Sequence, residues 1–373
     1  MRIAHVTDVY LPRLGGVELQ VHDLVTRQRA AGHDTLVVTT TPGPGGPRIV
    51  RLGGDRYGAG PYRVVPGRAL TDVLRVYGVD VVHAHVSALS PTAWTAAGLA
   101  ASGGRPTVVT VHSMWDGIVP LVRGYTRLRS AATWPVVWAA VSHAAAAAVS
   151  AALDGTPVAV LPNGIDPAEW RPATPPRAGG LPTIVSVMRM VRRKRPRALL
   201  GAVRALQVTH RGRFRTVLVG DGPLLPGLRR EVAAAGLDGH VRLTGALDRD
   251  AIRRLLATAD LYVAPASRES FGIAALEARS AGVPVLARAG SGIADFVRHG
   301  TEGWLVSSDD EMHATIAALL DDPGRLAAVA AHNRAVAPAV HWQAVLDTAD
   351  ALYAAAEQRH GADTARRLLG SPA

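Results

Sequence analysis

Residues 162–182 read PNGIDPAEWRPATPPRAGGLP, a stretch in which proline and glycine repeatedly interrupt regular structure. On both sides of it, short β-rich runs alternate with helical stretches. This alternation is typical of a parallel sheet covered by helices on both faces. We therefore interpret the segment as a linker between two α/β domains, residues 1–165 and 166–340, followed by a C-terminal helical segment, 341–373.

Each half contains six runs with the composition of strands. They are Ile3–Thr7, Thr35–Thr39, Val79–His83, Thr107–Val111, Val136–Val141 and Val158–Leu161 in the first half, and Ile184–Val187, Thr216–Val219, Val241–Leu243, Leu261–Val263, Val285–Ala287 and Gly303–Val306 in the second. Ligands of such sheets bind beyond the carboxyl ends of the strands. The predicted fold is two doubly wound α/β domains facing each other, with the site in the cleft between them. The last segment is predicted to form a helix over Trp342–Gln358 and a frayed tail from His360 onward.

The composition restricts the classes of function. The 373 residues are 48% apolar, enough for two cores. The lack of cysteine excludes disulfides and thiolate metal sites and fits a reducing, cytoplasmic setting. The apolar stretch Ala131–Leu153 is interrupted by Pro135, so we interpret it as a buried strand and an alanine-rich helix rather than a membrane span. The net charge of +11 is compatible with an anionic substrate, an anionic membrane surface or nucleic acid.

One cation differs from all the others. Of the 41 basic side chains, only Lys194 is a lysine, which indicates a position that needs a compact ammonium group; a chance remnant is the alternative. Lys194 lies five residues after Arg189, which follows the strand Ile184–Val187. Two cations at one strand end suit a diphosphate and would offset the negative charge that develops on a departing nucleotide. The neighbouring Arg192 and Arg193 fit a solvated basic loop better.

Two carboxylates follow the strand Leu261–Val263. Glu269 lies in the predicted loop before a helix, and Glu277 lies about two turns into that helix. A helix N-terminus binds phosphate through its free N–H groups, and Gly272 allows a ligand to approach the backbone closely. Carboxylates accept hydrogen bonds from vicinal hydroxyls, so the pair suits two sugars of one donor.

The first half offers further candidates. Gly15 and Gly16 join the first strand to the first helix and suit a phosphate, although they do not form the GxGxxG dinucleotide fingerprint. His112 follows the fourth strand, and His83 and His85 end the third. A single histidine is usually structural, and His112 has the strongest claim to function because of its position at a strand end.

Two other motifs carry less information. Gly220, in the sequence GDGP at 220–223, marks a tight strand-to-helix turn of a kind that is common in α/β proteins. The sequence DRD at 248–250 has the spacing of a metal-binding motif, but its position before a helix predicts an N-cap and a first-turn acid. The sequence therefore predicts no metal site and no bound cofactor.

Taken in order along the chain, these motifs resemble the retaining glycosyltransferases of family 4, which have the GT-B fold of two Rossmann-like domains. The resemblance runs from GGVE at 15–18 to about Val306. Its most specific part is E-x7-E, formed by Glu269 and Glu277, and next is Arg-x4-Lys, formed by Arg189 and Lys194. Four shorter sequences support it: VTVHS at 109–113, VSHAA at 141–145, LPNGID at 161–166 and LVGDGP at 218–223.

The resemblance implies a role for each site residue. Arg189 and Lys194 neutralise the donor diphosphate in place of a metal, Glu277 holds the ribose, and His112 and Glu269 contact the transferred sugar. The catalytic residues implied are His112, Glu269, Arg189 and Lys194; the donor-binding residues implied are Gly15, Gly16, Arg189, Lys194, Gly220, Glu269, Phe271, Gly272, Ile273, Ala274 and Glu277.

The resemblance also implies a reaction. A hexose or N-acetylhexosamine passes from a UDP- or GDP-sugar to a lipid, glycan or natural-product acceptor, with retention of configuration. The first domain holds the acceptor, the second holds the donor, and the last helix crosses back to the first domain. Two positions depart from the family pattern: Met188 and Arg195 stand where the family often has glycine.

Other interpretations remain open at this point. A nucleotide-sugar epimerase on the same fold needs a carboxylate pair that the first half lacks, and a nucleic-acid-binding protein needs aromatic platforms that the basic run lacks. The acceptor is expected at the loops Arg48–Gly67 and Ser113–Ser130, which are rich in Arg, Gly and Trp. They suit an anionic lipid head group at the inner face of a membrane, or a polar small molecule.

Overall fold

The structure is a computed structural model that describes residues 1–52, 62–172 and 180–368. It contains two compact units. One is formed by Met1–Gly164 together with the helix that begins at Trp342, and the other by Ile165–His341. Each unit is a parallel sheet with helices packed on it.

The first unit contains a seven-stranded sheet in which all strand pairs are parallel. Its strands are β1 Arg2–Thr7, β2 Asp34–Thr39, β3 Ile49–Arg51, β4 Val81–Val86, β5 Thr107–Val111, β6 Val137–Ala140 and β7 Ala159–Val160. Its helices up to this point are α1 Gly16–Ala30, α2 Gly67–Val76, α3 Pro91–Ser102, α4 Val119–Leu128 and α5 His143–Ala152. The strand order is β3-β2-β1-β4-β5-β6-β7, so the direction of winding changes between β1 and β4. Ligands of doubly wound sheets bind at this switch point.

The second unit repeats this topology with six parallel strands. Its strands are β8 Thr183–Val187, β9 Arg215–Val219, β10 Val241–Gly245, β11 Leu261–Ala264, β12 Val285–Arg288 and β13 Gly303–Val306. Its helices are α6 Pro167–Trp170, α7 Pro196–Thr209, α8 Leu225–Ala234, α9 Arg249–Leu256, α10 Ile273–Ser280, α11 Asp309–Asp321 and α12 Pro323–Ala335. The order β10-β9-β8-β11-β12-β13 puts the switch point between β8 and β11.

The last helix, α13, extends over Trp342–Leu368 and belongs to the first unit. Its apolar side chains, spaced three or four residues apart from Trp342 to Ala356, pack into a core shared with β1, β4 and β5. The guanidinium of Arg27 lies 5.1 Å from the centre of the Trp342 ring. The predicted fraying from His360 was wrong, because the sequence to Leu368 contains no proline and the helix continues.

The structure describes residues 162–172 and 180–182 of the interdomain segment. Asp166 accepts a hydrogen bond of 3.1 Å from the N–H of Ala168 and caps the short helix α6. Residues 173–179, which complete the predicted linker, lie outside the described residues. The DRD motif was predicted to cap a helix. Asp248 accepts a hydrogen bond from the N–H of Ala251 at 2.7 Å, so its N-cap role at α9 is confirmed.

Two strand predictions were wrong. β3 was missed, because its three residues are too few to show an alternating pattern. β4 covers Val81–Val86 rather than Val79–His83, so His83 and His85 lie inside the strand, on one face, and are buried. Among the described residues, no helix combines the length and the apolar character needed to cross a bilayer.

Candidate functional site

The predicted donor residues of the second unit lie on two neighbouring strand ends. Arg189 and Lys194 follow β8, and Glu269 follows β11. β8 and β11 are hydrogen-bonded neighbours on either side of the switch point. The parallel strands bring both loops to the same edge of the sheet, where an open α/β sheet binds its ligand.

Lys194 and Glu269 are joined directly. The ammonium Nζ of Lys194 donates to Oε2 of Glu269, and the two side chains are 18% and 15% exposed. The local backbone explains the position of the lysine: it ends a 3-10 helix, Arg192–Lys194, and the next residue, Arg195, has a left-handed φ of 56°. The ion pair unites two residues that are 75 positions apart in the sequence.

Arg189 is exposed, and its guanidinium forms no hydrogen bond or ion pair with any described residue. The main chain on both sides is fixed. The N–H of Met188 donates to the carbonyl of Val219 at the end of β9, and the N–H of Met190 donates to the carbonyl of Asp221 in the GDGP turn, both at 2.9 Å. Gly220 and Gly222 have φ of +130° and +151°, and a Cβ on Gly220 would overlap the carbonyl oxygen of Met188. The GDGP turn therefore supports the backbone that carries Arg189, a role that the sequence did not indicate.

The loop before α10 is held by packing. Gly272 has φ +92°, and a Cβ there would lie 2.5 Å from Ile293, so glycine is required. Phe271 is buried against Phe296, with ring centres 5.3 Å apart. Glu277 is the fifth residue of α10, one turn into the helix rather than two as predicted. Ile273 and Ala274 form its first turn, where backbone N–H groups are free of intrahelical bonds.

Sequence reasoning missed Tyr262, which lies on β11 beneath these loops. Its hydroxyl donates to the carbonyl of Val187 at 3.1 Å and ties the ends of β11 and β8 together. Burial raises the pKa of this phenol, and the negative charges of Glu269 and Glu277 raise it further. Both predicted carboxylates thus raise the pKa of the same tyrosine, which is neutral.

The glycine pair of the first unit lies at the start of α1. Gly15 is the N-cap residue and Gly16 the first helical residue. A Cβ on Gly15 would overlap the carboxylate of Glu18, which is buried and paired with Arg13 at 3.1 Å. A larger residue at position 15 would therefore have to displace the carboxylate of Glu18.

His112 follows β5 and lines a small pocket within the first unit. Its Nε2 lies 3.0 Å from Nδ1 of His85, and burial lowers the pKa of His112 to about 4, so the imidazole is neutral. Its Nδ1 is buried and has no hydrogen-bond partner among the described residues. Opposite, Gln20 bonds both the N–H and the carbonyl of Gly164, at 3.0 and 3.2 Å, which fixes the LPNGID segment in the pocket wall.

Comparison with known proteins assigns the family. The model for glycosyl transferases group 1 matches residues 171–336, and the model for Glycosyltransferase Family 4 matches residues 14–169. The chain belongs to the family 4 glycosyltransferases. The resemblance inferred from the motifs is therefore confirmed, and this glycosyltransferase moves a sugar from a nucleotide-sugar donor.

Relatives of this family 4 glycosyltransferase match between about half and nine-tenths of its length. It is 28% identical over 358 residues to the GDP-mannose-dependent alpha-(1-6)-phosphatidylinositol monomannoside mannosyltransferase of Mycobacterium tuberculosis, with coverage of 89% of this chain and 92% of the relative. It is 34% identical over 222 residues to the D-inositol 3-phosphate glycosyltransferase of Thermobispora bispora, with coverage of 54% and 51%. Anabaena HepE in complex with UDP and glucose matches with a TM-score of 0.73, 20% identity and coverage of 94% and 98%, and the predicted GT-B fold is confirmed.

Proposed function

We propose that this glycosyltransferase is a retaining, metal-independent hexosyltransferase. It takes a hexose or N-acetylhexosamine from a UDP- or GDP-sugar and passes it to a lipid, glycan or natural-product acceptor. The observation that carries the proposal is the ion pair between Lys194 and Glu269 at the switch point of the second unit, with the exposed Arg189 on the same loop. The two cations suit the diphosphate of a nucleotide sugar, and the carboxylate beside them suits the hydroxyl groups of its sugar.

The two cations act on the leaving group. The bond between the anomeric carbon and the β-phosphate oxygen breaks, and the oxygen of an acceptor hydroxyl bonds to that carbon on the same face. The acceptor proton passes to the departing phosphate oxygen, so atoms and charge balance. Lys194 and Arg189 stabilise the charge that develops on the diphosphate, and this is the contribution that would otherwise come from a divalent metal.

The two carboxylates bind different parts of the donor. Glu277, on the rigid helix α10, accepts hydrogen bonds from the ribose hydroxyls. Glu269 holds the ammonium of Lys194 in place and presents its remaining oxygen to the transferred sugar. The first turn of α10, with Phe271 and Gly272 before it, completes the donor site of the second unit, and the family resemblance assigns His112 a contact with the transferred sugar.

We propose a membrane-associated lipid as the preferred acceptor class. In α4, within the predicted acceptor loop Ser113–Ser130, Leu121 and Leu128 are 74% and 83% exposed, beside basic residues that include Arg123. A relative acts on phosphatidylinositol monomannoside by its name, and the net charge of +11 suits an anionic surface. Residues 53–61 of the other predicted acceptor loop lie outside the described residues.

The single lysine provides a direct test of the donor site. Acetylation with a water-soluble amine reagent, followed by mass spectrometry, reports on Lys194, and the α-amino group serves as the internal reference. We expect UDP or GDP to slow acetylation of Lys194 on the order of tenfold, because a bound diphosphate competes for the ammonium. The matching sugar nucleotide should be hydrolysed slowly without acceptor. If no member of a UDP-, GDP- and dTDP-sugar panel does either, the proposal is wrong.

The two carboxylates should separate kinetically. Glu277→Ala is expected to weaken nucleotide binding on the order of tenfold, because it removes an acceptor for two ribose hydroxyls. Glu269→Ala is expected mainly to lower kcat, since it releases Lys194 and loses a sugar contact. Calorimetric titration of the nucleoside diphosphate, beside steady-state kinetics, distinguishes the variants. Unchanged nucleotide affinity in Glu277→Ala would refute the ribose assignment.

A further inference from the structure

Five buried side chains of the first unit form a continuous chain of hydrogen bonds that ends at His112. Nε2 of Gln28 donates to the hydroxyl of Tyr353 at 2.9 Å, and Oε1 of Gln28 lies 2.7 Å from Nε2 of His5. Nδ1 of His5 lies 3.0 Å from Nε2 of His85, and Nδ1 of His85 lies 3.0 Å from Nε2 of His112. Helices α13 and α1 are thereby connected through β1 and β4 to the pocket.

The imidazoles in this chain are neutral. Burial is the main cause, and it lowers the pKa of His5 to about 3, that of His112 to about 4 and that of His85 well below its usual value. Each neutral ring has one N–H donor and one acceptor nitrogen. The direction of any one bond in the chain therefore fixes the direction of all the others.

The amide of Gln28 sets that direction. Because its Nε2 donates to Tyr353, its Oε1 must accept from the Nε2–H of His5. Nδ1 of His5 then accepts from the Nε2–H of His85, and Nδ1 of His85 accepts from the Nε2–H of His112. His112 is left with a lone pair on Nδ1, the buried atom that has no partner among the described residues.

The same direction extends along a side branch. The hydroxyl of Tyr353, which accepts from Gln28, donates its own proton to Nδ1 of His83 at 2.8 Å. His83 therefore carries its proton on Nε2 and donates to the hydroxyl of Thr110, also at 2.8 Å. The rings of His83 and His85 stack with centres 4.1 Å apart, which restricts both orientations.

A metal site is the competing interpretation of this cluster. One nitrogen from each of His5, His83 and His85 lies within 4.8 Å of the others, close enough to share an ion. Every ring nitrogen of these three residues, however, already has a hydrogen-bond partner at 2.7–3.0 Å. A cation would have to break several of these bonds, so the geometry favours the hydrogen-bonded chain.

We propose that Gln28 and Tyr353 are positioning residues for the pocket: through His5 and His85 they hold His112 as its Nε2–H tautomer. Nδ1 of His112 then accepts a hydrogen bond from a hydroxyl of the transferred sugar, and this last step rests on the proposed function. The same imidazole with its proton on Nδ1 would present a donor instead and repel the hydroxyl proton. Gln28 and Tyr353 thereby determine which hydrogen-bonding group the sugar meets, although neither lines the pocket.

The tautomers can be observed without substrate. In protein labelled with 15N-histidine, two-bond 1H–15N correlation spectra distinguish the Nε2–H from the Nδ1–H form, and the His112→Gln variant assigns one of the 14 histidines. In the unsubstituted protein we expect His112 as the Nε2–H tautomer. In Gln28→Met and Tyr353→Phe we expect a mixture of the two tautomers. A wild-type His112 that is protonated on Nδ1, or spectra that change only on addition of zinc, would overturn the proposal.

Kinetics test the consequence for the reaction. Gln28→Met and Tyr353→Phe should lower kcat/KM for the sugar nucleotide on the order of tenfold while leaving the affinity for the nucleoside diphosphate unchanged. Tyr10→Phe is the matched control, because Tyr10 is another buried tyrosine of this unit whose hydroxyl bonds a histidine Nδ1, that of His22 at 2.9 Å, outside the chain. An equal loss of kcat/KM in Tyr10→Phe would contradict the positioning role, and so would full activity in both Gln28→Met and Tyr353→Phe.

The two proposals fail in different ways. If the wild-type chain transfers no sugar but the tautomers are as expected, the hydrogen-bond chain stands and the proposed function is wrong. If sugar transfer is confirmed and the tautomer of His112 does not respond to Gln28 or Tyr353, the positioning role is wrong. Tyr353→Phe removes only a hydroxyl, at the far end of the hydrogen-bond chain, and therefore perturbs the core less than Gln28→Met.

Discussion

Lys194→Met is expected to lower kcat by about two to three orders of magnitude, the usual effect of removing one preorganised donor to a developing negative charge. Methionine keeps the length and the apolar stem of lysine and deletes only the ammonium. The loss should appear in kcat rather than in substrate affinity, because the charge on the diphosphate grows as the glycosidic bond breaks. Single-turnover assays with the sugar nucleotide measure the chemical step directly.

Three variants control this result. Arg193→Met removes an exposed cation from the same loop and should change kcat less than about twofold, since exposed charges are screened by water. Lys194→Arg keeps the charge and tests the need for a compact ammonium. In the double variant Lys194→Met with Glu269→Gln, a neutral amide replaces the carboxylate that Lys194→Met alone leaves unpaired; stability should recover and activity should not. Equal losses in Arg193→Met would mean that the loop contributes only its overall charge.

Acidification is expected to destabilise the first unit steeply between pH 6.5 and 5. Burial lowers the pKa of His5 to about 3 and the pKa values of His83 and His85 well below 6.5, the value that applies in the unfolded chain. The unfolded state therefore binds more protons in this window, and stability that is present above pH 6.5 is lost as the pH falls.

One buried carboxyl opposes this trend. Asp8 accepts hydrogen bonds of 3.0 Å from the N–H groups of Thr92 and Ala93 at the start of α3, and burial raises its pKa to about 6. The contribution of Asp8 to stability is fully present below pH 3.8, the ordinary pKa of an aspartate carboxyl, and is lost as the pH rises through about 6. His112, whose pKa burial lowers to about 4, belongs to the same unit, so four histidines lose stability on acidification and one carboxyl gains it, a net difference of three protons. At about 1.4 kcal/mol per proton per pH unit, the expected net slope is about 4 kcal/mol per pH unit.

Urea unfolding at several pH values, followed by tryptophan fluorescence and circular dichroism, measures this slope. His83→Gln should reduce it by about one proton, and His240→Gln, a substitution in the second unit, should not alter it. The window avoids most carboxylates: Glu302, despite its burial, has a pKa lowered to about 2 because Arg298 donates to it, so its contribution is lost only below 4.5. If the free energy of unfolding does not change with pH above pH 5, these histidines are not buried as neutral groups.

Local pattern was sufficient for most of the fold. β5 and β13 were predicted with their observed ends, because short runs of β-branched, aromatic or other apolar residues between turn-forming residues are recognised in the sequence directly. The Asp248 cap was also local. β3 was not predicted, since its three residues are defined by pairing with β2, and the end of α13 was not, since the helix continues beyond His360, where fraying was expected.

The site was predictable as a set of residues but not as a set of contacts. The spacing of Arg189, Lys194, Glu269 and Glu277 indicated the family, yet the bond between Lys194 and Glu269 depends on β8 lying beside β11, which local patterns do not specify. The hydrogen-bond chain to His112 joins residues up to 325 positions apart. Its one visible trace in the sequence was the pair of histidines at alternate positions of β4.

The return of α13 to the first unit has a consequence for synthesis of the chain. The first unit is complete only when the segment from Trp342 to Ala356 has been made, because this segment contributes a large part of its core and the hydroxyl of Tyr353. The second unit is contiguous in sequence and emerges whole from the ribosome before that segment. The order of completion is therefore reversed relative to the order of translation. Until Tyr353 has been made, the side chains of Gln28 and His83 lack the hydroxyl that they bond in the complete first unit, so the half of the protein that is made first is completed last.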